Sequence, residues 1–297
     1  MPPLSARIIS EQISDVLGVR LTEIRDVGSQ HGYHHVAGTL ADGRSIFAKV
    51  APEPSDTVAD AFAAEAHGLR WLGEADGGPP VPDVLGVADQ FLVIGLLQPL
   101  ERVWPQPARR FGADLARMHA AGAPSFGSAW PGYIASLPLD NTPSADNADW
   151  GTWYARRRLV PYLKRARDDG AVSRAEVSLV ESVIGRIGEL AGPPEPPARI
   201  HGDLWWANVL WSGGRGWLID PAAHGGHRET DLAMLDLFGA PEFDEILQGY
   251  TETAPLAEGW RSRLPLHQLH PLLVHVCLFG GSYAAQLAAS ARAALKA

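Results

Sequence analysis

The sequence predicts an α+β protein of two lobes. An N-terminal antiparallel β-sheet lobe with one major helix covers residues 1–97, and a mainly α-helical lobe covers residues 98–297. Two patterns predict this. Short apolar runs joined by tight turns fill the first part, and apolar residues at helical spacing fill the second. Hydrophobic residues make up 46% of the 297 positions, ample apolar content for the cores of two lobes.

Taken in order, residues 7–18 read as a short amphipathic helix with Ile8, Ile9, Ile13, Val16 and Leu17 as its apolar set. Residues 22–40 read as two strands around a loop at 27–33. Asp42-Gly43 is a hairpin signal joining strand 36–40 to strand 45–50, and the second of these carries Lys49. A helix over 57–72 follows, with Ser55 or Asp56 as N-cap and Glu65 among its apolar contacts. After Gly77-Gly78-Pro79-Pro80, residues 84–87 and 91–97 form a second hairpin around Asp89-Gln90.

Beyond Gly95–Pro99 the pattern turns helical. Helices are expected at 108–120, 150–168 and 173–190, and an irregular Pro/Gly/Ser/Asn-rich loop at 124–147. Residues 209–211 and 217–219 flank Gly213-Gly214 as a hairpin. Helices at 229–238 and 242–250, then two C-terminal helices separated near Gly280-Gly281, complete the chain.

Composition excludes several classes. A net charge of −9 argues against a nucleic-acid surface, which needs a basic face. The single Cys277 rules out an intramolecular disulfide framework and reads as a buried small hydrophobe. The N-terminal Met1-Pro2-Pro3-Leu4-Ser5 stretch lacks a signal-peptide core, and no run is expected to reach the ~20 apolar residues of a membrane helix. A soluble, cytoplasmic, monomeric protein is expected. Lys and Arg total 25, yet only Lys49, Lys164 and Lys296 are Lys, so a Lys kept in the centre of a strand stands out.

The chemistry concentrates in Ile200–Asp220, I-H-G-D-L-W-W-A-N-V-L-W-S-G-G-R-G-W-L-I-D. Asn208 follows Asp203 by five positions, the spacing of a phosphoryl-transfer catalytic loop, and the hairpin between them would bring Asp220 beside Asn208. Asp203 is then the candidate base; Asn208 and Asp220 are candidate Mg2+ ligands. Lys49, with Glu65 sixteen residues on, suits a pair that positions ATP phosphates. Gly28 and Gly32 bracket a loop able to cover phosphates through backbone N–H groups, although it is neither a G-x-G-x-x-G nor a Walker sequence. Adenine is expected against the 94–97 strand, with Ile94 and Leu96 as contacts. Trp205 is placed to stack a sugar face, and His201 is a substrate-side candidate. The pairs His224/His227 and His267/His270 lack a third ligand at zinc spacing and read as structural histidines.

These stretches resemble the fructosamine kinases, also called ketosamine-3-kinases. D-W-x-x-W-Y (Asp149–Tyr154), H-G-D-L-W (His201–Trp205), L-I-D-P (Leu218–Pro221), G-H-R-E-x-D-L-A-M (Gly226–Met234) and the C-terminal L-H-Q-L-H-P-L-L-V-H-V-C-L-F-G-G-S-Y (Leu266–Tyr283) carry the likeness in order over about residues 20–285. The resemblance implies a protein-kinase-like fold related to aminoglycoside and choline kinases. It implies ATP and Mg2+ as cofactors and phosphorylation of the 3-hydroxyl of a ketoamine, free or protein-linked. The product decomposes and frees the amine. In bacterial members ribulosamines or erythrulosamines are the expected substrates.

The chain departs from the family pattern at Trp206, where a small residue is usual and crowding of the sugar site is expected. It departs again at Gly95, an acidic position elsewhere, and at His267 and His270, which stand for tyrosines. Two alternatives remain. One is a kinase of the same fold acting on an aminoglycoside or choline. The other is a non-catalytic nucleotide-binding module, against which the presence of Asp203, Asn208, Asp220 and Lys49 argues.

Overall fold

The structure, a computed structural model, describes residues 6–30, 32–99, 103–145 and 149–297. Its first part is a five-stranded antiparallel sheet between two helices. Helix α1 (Ala6–Leu17) precedes β1 (Leu21–Gln30), β2 (Tyr33–Leu40) and β3 (Ser45–Val50). Helix α2 (Asp56–Gly73) then leads to β4 (Val84–Ala88) and β5 (Phe91–Gly95). The strand order is β1-β2-β3-β5-β4. Ile9 and Ile13 of α1 pack with Leu21, Val36, Ile46 and Val93, while Phe62 and Leu69 of α2 pack with Leu92 and Ile94. Alternation along each strand thus gives both sheet faces an apolar partner. Ser55 caps α2 by accepting from the Val58 N–H at 3.2 Å, a contact worth about 1 kcal/mol.

Helices dominate afterwards. Helix α3 (Pro105–Ala120) is followed by the small hairpin β6 (Gly132–Ile134) and β7 (Leu137–Leu139). This hairpin lies in the stretch expected to be irregular throughout. Each strand is only three residues long, too short for a period-two signal. Helix α4 (Trp150–Tyr154) runs through a π-helical turn, Ala155–Leu159, into α5 (Val160–Asp168). That turn points the buried Arg158 at the Asp140 carbonyl and the Asn141 side-chain oxygen, both at 2.6 Å, pinning the end of the hairpin segment.

Helices α6 (Arg174–Gly185) and α7 (Ile187–Leu190) lead to strand β8 (Ala198–Ile200). The hairpin β9 (Val209–Ser212) and β10 (Arg215–Leu218) follows, then β11 (His224–Gly226), which pairs with β8. Helices α8 (Glu229–Leu237), α9 (Phe243–Thr253), α10 (Trp260–His267), α11 (Leu269–Phe279) and α12 (Ala284–Ala294) close the chain. Three C-terminal helices therefore stand where two were expected, because Pro265 within α10 hides its start from a periodicity reading. Helices α3 and α9 cross at glycines. A Cβ at Gly112 would sit 1.8 Å from the Ile246 carbonyl oxygen, and one at Gly249 1.8 Å from that of Arg109.

Contrary to expectation, one stretch, Trp260–Ala294, matches a membrane span in length and composition, with a mean hydropathy of 1.5 in its most apolar window. In the fold it does not make one straight rod. Gly280 at φ 74° and the turn Gly280–Tyr283 break it. Its Leu269, Leu272, Leu273 and Leu287 pack into the helical core with Trp153, Leu159 and Val180.

Candidate active site

The site is built where the sheet, α2 and the β9–β10 hairpin meet. Lys49 lies near the end of β3, opposite His35 on one side and Leu92 on the other. Its ammonium donates to both oxygens of Glu65 on α2, at 2.8 and 2.9 Å, and to Asp220 at 2.7 Å. Burial opposes charge on Lys49, but the carboxylates of Glu65 and Asp220 outweigh it and raise its pKa above the ordinary value. The ion pair ties the sheet part to the helical part.

Asp203 and Asn208 sit between β8 and β9, with the 3-10 turn Trp206–Asn208 between them. The Asn208 side-chain N–H donates to the Asp203 carbonyl at 2.9 Å and to its carboxylate at 3.2 Å. The Ile219 N–H donates to the Asn208 carbonyl at 3.1 Å, drawing together the two ends of the β9–β10 hairpin. Asp220 follows at φ 53°, a left-handed conformation uncommon for a residue with a side chain and found at functional turns.

Electrostatics define what these groups can hold. Burial, then the charge of Asp220, pushes the Asp203 carboxyl up to about 7. The Lys49 ammonium is bound to Glu65 and Asp220, and the Asp203 carboxyl lies beside them without a cation of its own, so the site carries excess negative charge. Because Asn208 spends its amide N–H on Asp203, its oxygen is left for another partner. An amide oxygen beside a carboxylate is a hard-donor set that suits Mg2+, and the cation would offset the excess charge.

Asp231 on α8, fully buried, was not singled out from sequence. Its carboxylate accepts the His201 N–H at 2.8 Å, the Gly202 N–H at 2.9 Å and a 3.1 Å contact from His119 Nε2 on α3. Burial alone would raise its pKa, yet the bonds from His119 and the His201 backbone hold it below the ordinary value. Gly202, at φ 80°, passes so close to the Ala222 carbonyl that a Cβ would lie 2.4 Å from that oxygen. The loop bearing Asp203 is therefore held at its backbone from below. The signal for Asp231 was present: an acid inside the apolar run D-L-A-M-L, within a stretch singled out only for its likeness.

A cavity of about 410 Å³ opens onto this constellation. Lys49, Glu65, Asp203, Trp205, Asn208 and Asp220 all line it. Gly28, Gly32, Ile94, Leu96 and His201 do not. Gly28 is inside β1, paired with His35, and Gly32 at φ 85° forms the tight β1–β2 turn; His31 between them lies outside the described residues. Gln30, Tyr33 and His35 line the cavity in their place. Ile94 packs into the core under α2. The N–H groups of Gly95 and Leu96 are bound to the Asp83 and Ser45 carbonyls, which extends the sheet.

His201 is fully buried, with Nε2–H donating to the Ile219 carbonyl at 2.8 Å and Nδ1 accepting from the Asp203 N–H at 3.2 Å. It braces the loop from within and does not line the cavity. Trp206, expected to crowd the site, is 47% exposed and lies outside the cavity wall. The 3-10 turn sends successive side chains in different directions, so Ala207 and Asn208 line the cavity, as Trp205 just before the turn does, while Trp206 does not.

Part of the remaining cavity wall is aromatic. Phe238, His275, Phe279 and Tyr283 come from the end of α8 and from α11 and its following turn. From sequence these were only parts of helices or of the C-terminal signature. Tyr133 and Ile134 of β6 also line it, as do Val274 and Leu278 of α11.

Among the described residues one group, His227, Glu229 and His267, could bring ligand atoms within 4.8 Å of one another. Its bonding points away from a metal. Arg263 already holds both Glu229 oxygens at 2.6 and 3.0 Å. His227 Nδ1 accepts from the Glu229 N–H at 3.2 Å, which puts the proton of the neutral ring on Nε2. These histidines and His224, which bonds the Ala222 carbonyl at 2.8 Å, are structural.

The fold is that of the protein-kinase-like phosphotransferases. Aminoglycoside phosphotransferase APH(2'')-Ib, solved with ADP bound, shares it with a TM-score of 0.64 at 15% identity, over 98% of this chain and 99% of that one. More specifically, the chain belongs to the fructosamine kinase family, whose sequence profile matches residues 5–297. It is 32% identical to a probable ketoamine kinase of Enterococcus faecium over 255 residues, 82% of this chain and 85% of that one. A second probable ketoamine kinase, from Thermus thermophilus, is 34% identical over 75% of this chain and 78% of its own. The crystal structure of a Thermobifida fusca protein assigned as a fructosamine-3-kinase superposes with a TM-score of 0.92 at 50% identity, covering 97% of this chain and 99% of its own.

Proposed function

We propose that this protein transfers the γ-phosphoryl group of ATP to the 3-hydroxyl of a ketosamine, a ribulosamine, erythrulosamine or fructosamine, and so begins release of the amine. One observation carries the reading: Lys49, Asp203, Asn208 and Asp220 converge on one cavity in a chain of the fructosamine kinase family. In this reading residues 1–97 hold the nucleotide and residues 98–297 carry the catalytic loop and the acceptor. Lys49, oriented by Glu65, takes the α- and β-phosphates. Asn208 and Asp220 hold Mg2+, which when bound neutralises charge on the phosphates. Asp203 receives the hydroxyl, orients it in line with the γ-phosphorus and takes its proton late in transfer. Trp205 stacks an apolar face of the sugar.

Asp203→Asn is expected to abolish ADP release while leaving ATP binding and the unfolding midpoint nearly unchanged. Turnover above a tenth of the parent rate would refute the role of Asp203. The substrate is tested on a panel of ribulose-, erythrulose- and fructose-lysine beside an aminoglycoside and choline. Phosphorylation of the aminoglycoside or choline with none of the ketoamines would overturn the ketosamine reading.

A further inference from the structure

Helix α2 carries Glu65, and much of what holds it lies away from the cavity. One face packs on the sheet through Phe62, Ala66 and Leu69. Its C-terminal half belongs to the other part of the molecule. Leu72, fully buried, joins the core that contains Leu115, Leu204 and Leu218. At Gly68, one turn after Glu65, a Cβ would lie 3.1 Å from the Ala223 Cβ and 3.2 Å from the Pro221 Cγ. Helix α2 therefore sits directly on the segment that follows Asp220.

Two long side chains fasten this seat. Trp130 stacks on His67 of α2, with centroids 5.9 Å apart and planes inclined by 16°, and meets Trp71, one turn further along, edge-on at 5.5 Å. The Arg199 guanidinium lies 4.6 Å above the Trp71 ring and donates to the Trp71 carbonyl. Both anchors are themselves fixed to the strands around the catalytic loop. Arg199 is the middle residue of β8, which pairs with β11. The loop bearing Trp130 is tied to β11 by two backbone hydrogen bonds between Gly127 and Gly225, each 2.8 Å. The Ser128 hydroxyl closes that loop on the Trp130 carbonyl at 2.8 Å. Gly68, Trp130 and Arg199 thus tie α2 to one unit, the β8–β11 pair, and both Asp203 and Asp220 lie in the chain between those strands.

The consequence falls on Lys49. Its ammonium stands between two carboxylates, 2.8 and 2.9 Å from the oxygens of Glu65 and 2.7 Å from Asp220. Glu65 draws it toward α2, and Asp220 draws it toward the hairpin. If Glu65 withdraws, the ammonium pairs with Asp220 alone. It then leaves its place between the two and neutralises a carboxylate assigned to Mg2+. Where α2 sits decides that balance. We propose that Trp130 and Arg199 are positioning residues for nucleotide binding. By seating α2 on the β8–β11 pair they hold Glu65, and through it Lys49, in place for the phosphates of ATP. This role rests on the reading of Lys49 and Glu65 as the phosphate-positioning pair. Neither Trp130 nor Arg199 lines the cavity, so their effect on ATP passes through α2.

The test is a cycle of variants in which the Kd of Mg2+-ATP is measured by titration calorimetry with no acceptor present. Trp130→Ala is expected to raise the Kd about fivefold in the parent but by less than about twofold in a Glu65→Ala background, where α2 has no carboxylate left to position. Arg199→Met, which removes the bond to the Trp71 carbonyl, should follow the same pattern. Trp130→Phe keeps a ring on His67 and should restore the Kd to within about twofold of the parent. An unchanged Kd in Trp130→Ala or in Arg199→Met overturns the role of that residue. An equal rise in both backgrounds overturns the positioning role of both, while the reading of Lys49 and Glu65 stands. A Kd unmoved by Glu65→Ala and by Lys49→Met overturns that reading and the positioning role together.

Discussion

Replacing Asp231 by Asn separates positioning of the catalytic loop from catalysis itself. The Asp231 carboxylate accepts from two consecutive backbone N–H groups, at 2.8 and 2.9 Å, and contacts His119 at 3.1 Å. Bonds to a charged acceptor contribute about 1.5–3 kcal/mol each. The amide is nearly isosteric, but its NH2 cannot accept, so at least one of these bonds becomes a donor–donor clash and the rest lose their charge assistance. A loss of about 2–4 kcal/mol of stability at neutral pH follows, read as a lower urea midpoint at constant slope. The catalytic loop moves with it. A shift near 1 Å costs on the order of 100-fold in rate, so kcat should fall by about that factor while KM for ATP changes little.

The pH dependence has a definite sign. Because the folded-state pKa of Asp231 is depressed, its stabilisation is complete above the unfolded value and is lost as pH falls through the lower folded value. The gap between parent and Asp231→Asn midpoints should therefore narrow in acid. An unchanged midpoint together with kcat within threefold of the parent would refute the account of Asp231 as the brace of the loop.

Arg263→Leu removes the partner of a Glu229 carboxylate that is wholly buried, so about 3–5 kcal/mol should be lost in urea denaturation at neutral pH. Burial opposes ionisation of Glu229, but His267 and Arg263 hold its pKa down at about 2. Its stabilisation is therefore present above the unfolded pKa and is lost as pH falls toward 2, and the cost of Arg263→Leu should shrink over the same range. Gly249→Ala places a methyl group 1.8 Å from the Arg109 carbonyl oxygen, so α3 and α9 must separate. A loss of about 1–3 kcal/mol is expected, and a thermal midpoint equal to the parent's would contradict the close crossing. Trp206→Ala, at an exposed position outside the cavity wall, should leave kcat/KM within twofold in the ADP-release assay. A tenfold change would return Trp206 to the substrate site.

What could be read from the sequence divides along physical lines. Lys49, Glu65, Asp203, Asn208 and Asp220 announce themselves because their spacing reflects local structure: a strand, a helix and a hairpin each carry a polar group at a fixed offset. The strands of the sheet were legible for the same reason, down to the turn at Gly43 and the Ser55 cap. Residues whose partners lie far away in the chain were not. His201 looks like a site residue because it adjoins Gly202-Asp203, yet its ring is committed to Ile219, eighteen positions on. Asp231 acts thirty positions from the loop that it holds. Ile94 and Leu96 were placed by strand membership, but the alternation and hydrogen bonding that fix which groups face the cavity depend on the register with β3.

The arrangement also explains why so much buried polar structure surrounds a small site. Asp220 is held at a left-handed φ, which costs on the order of 1–2 kcal/mol, and Asp203 and Asp220 repel each other across a partly buried space. Left to itself such a loop would relax by rotating Asp220 away or by lifting the Asp203 turn into solvent. Each escape is blocked by a bond that forms outside the cavity. Lys49 fixes Asp220 from the sheet, Ile219 and Asn208 close the hairpin ends, and Asp231 grips the backbone before Asp203. The repulsion is thereby kept where, in the proposed reading, a bound Mg2+ would relieve it. Substitutions that relax the repulsion, such as Asp203→Asn, are therefore expected to spare stability and remove turnover, whereas those that release the grip, such as Asp231→Asn, are expected to lose both.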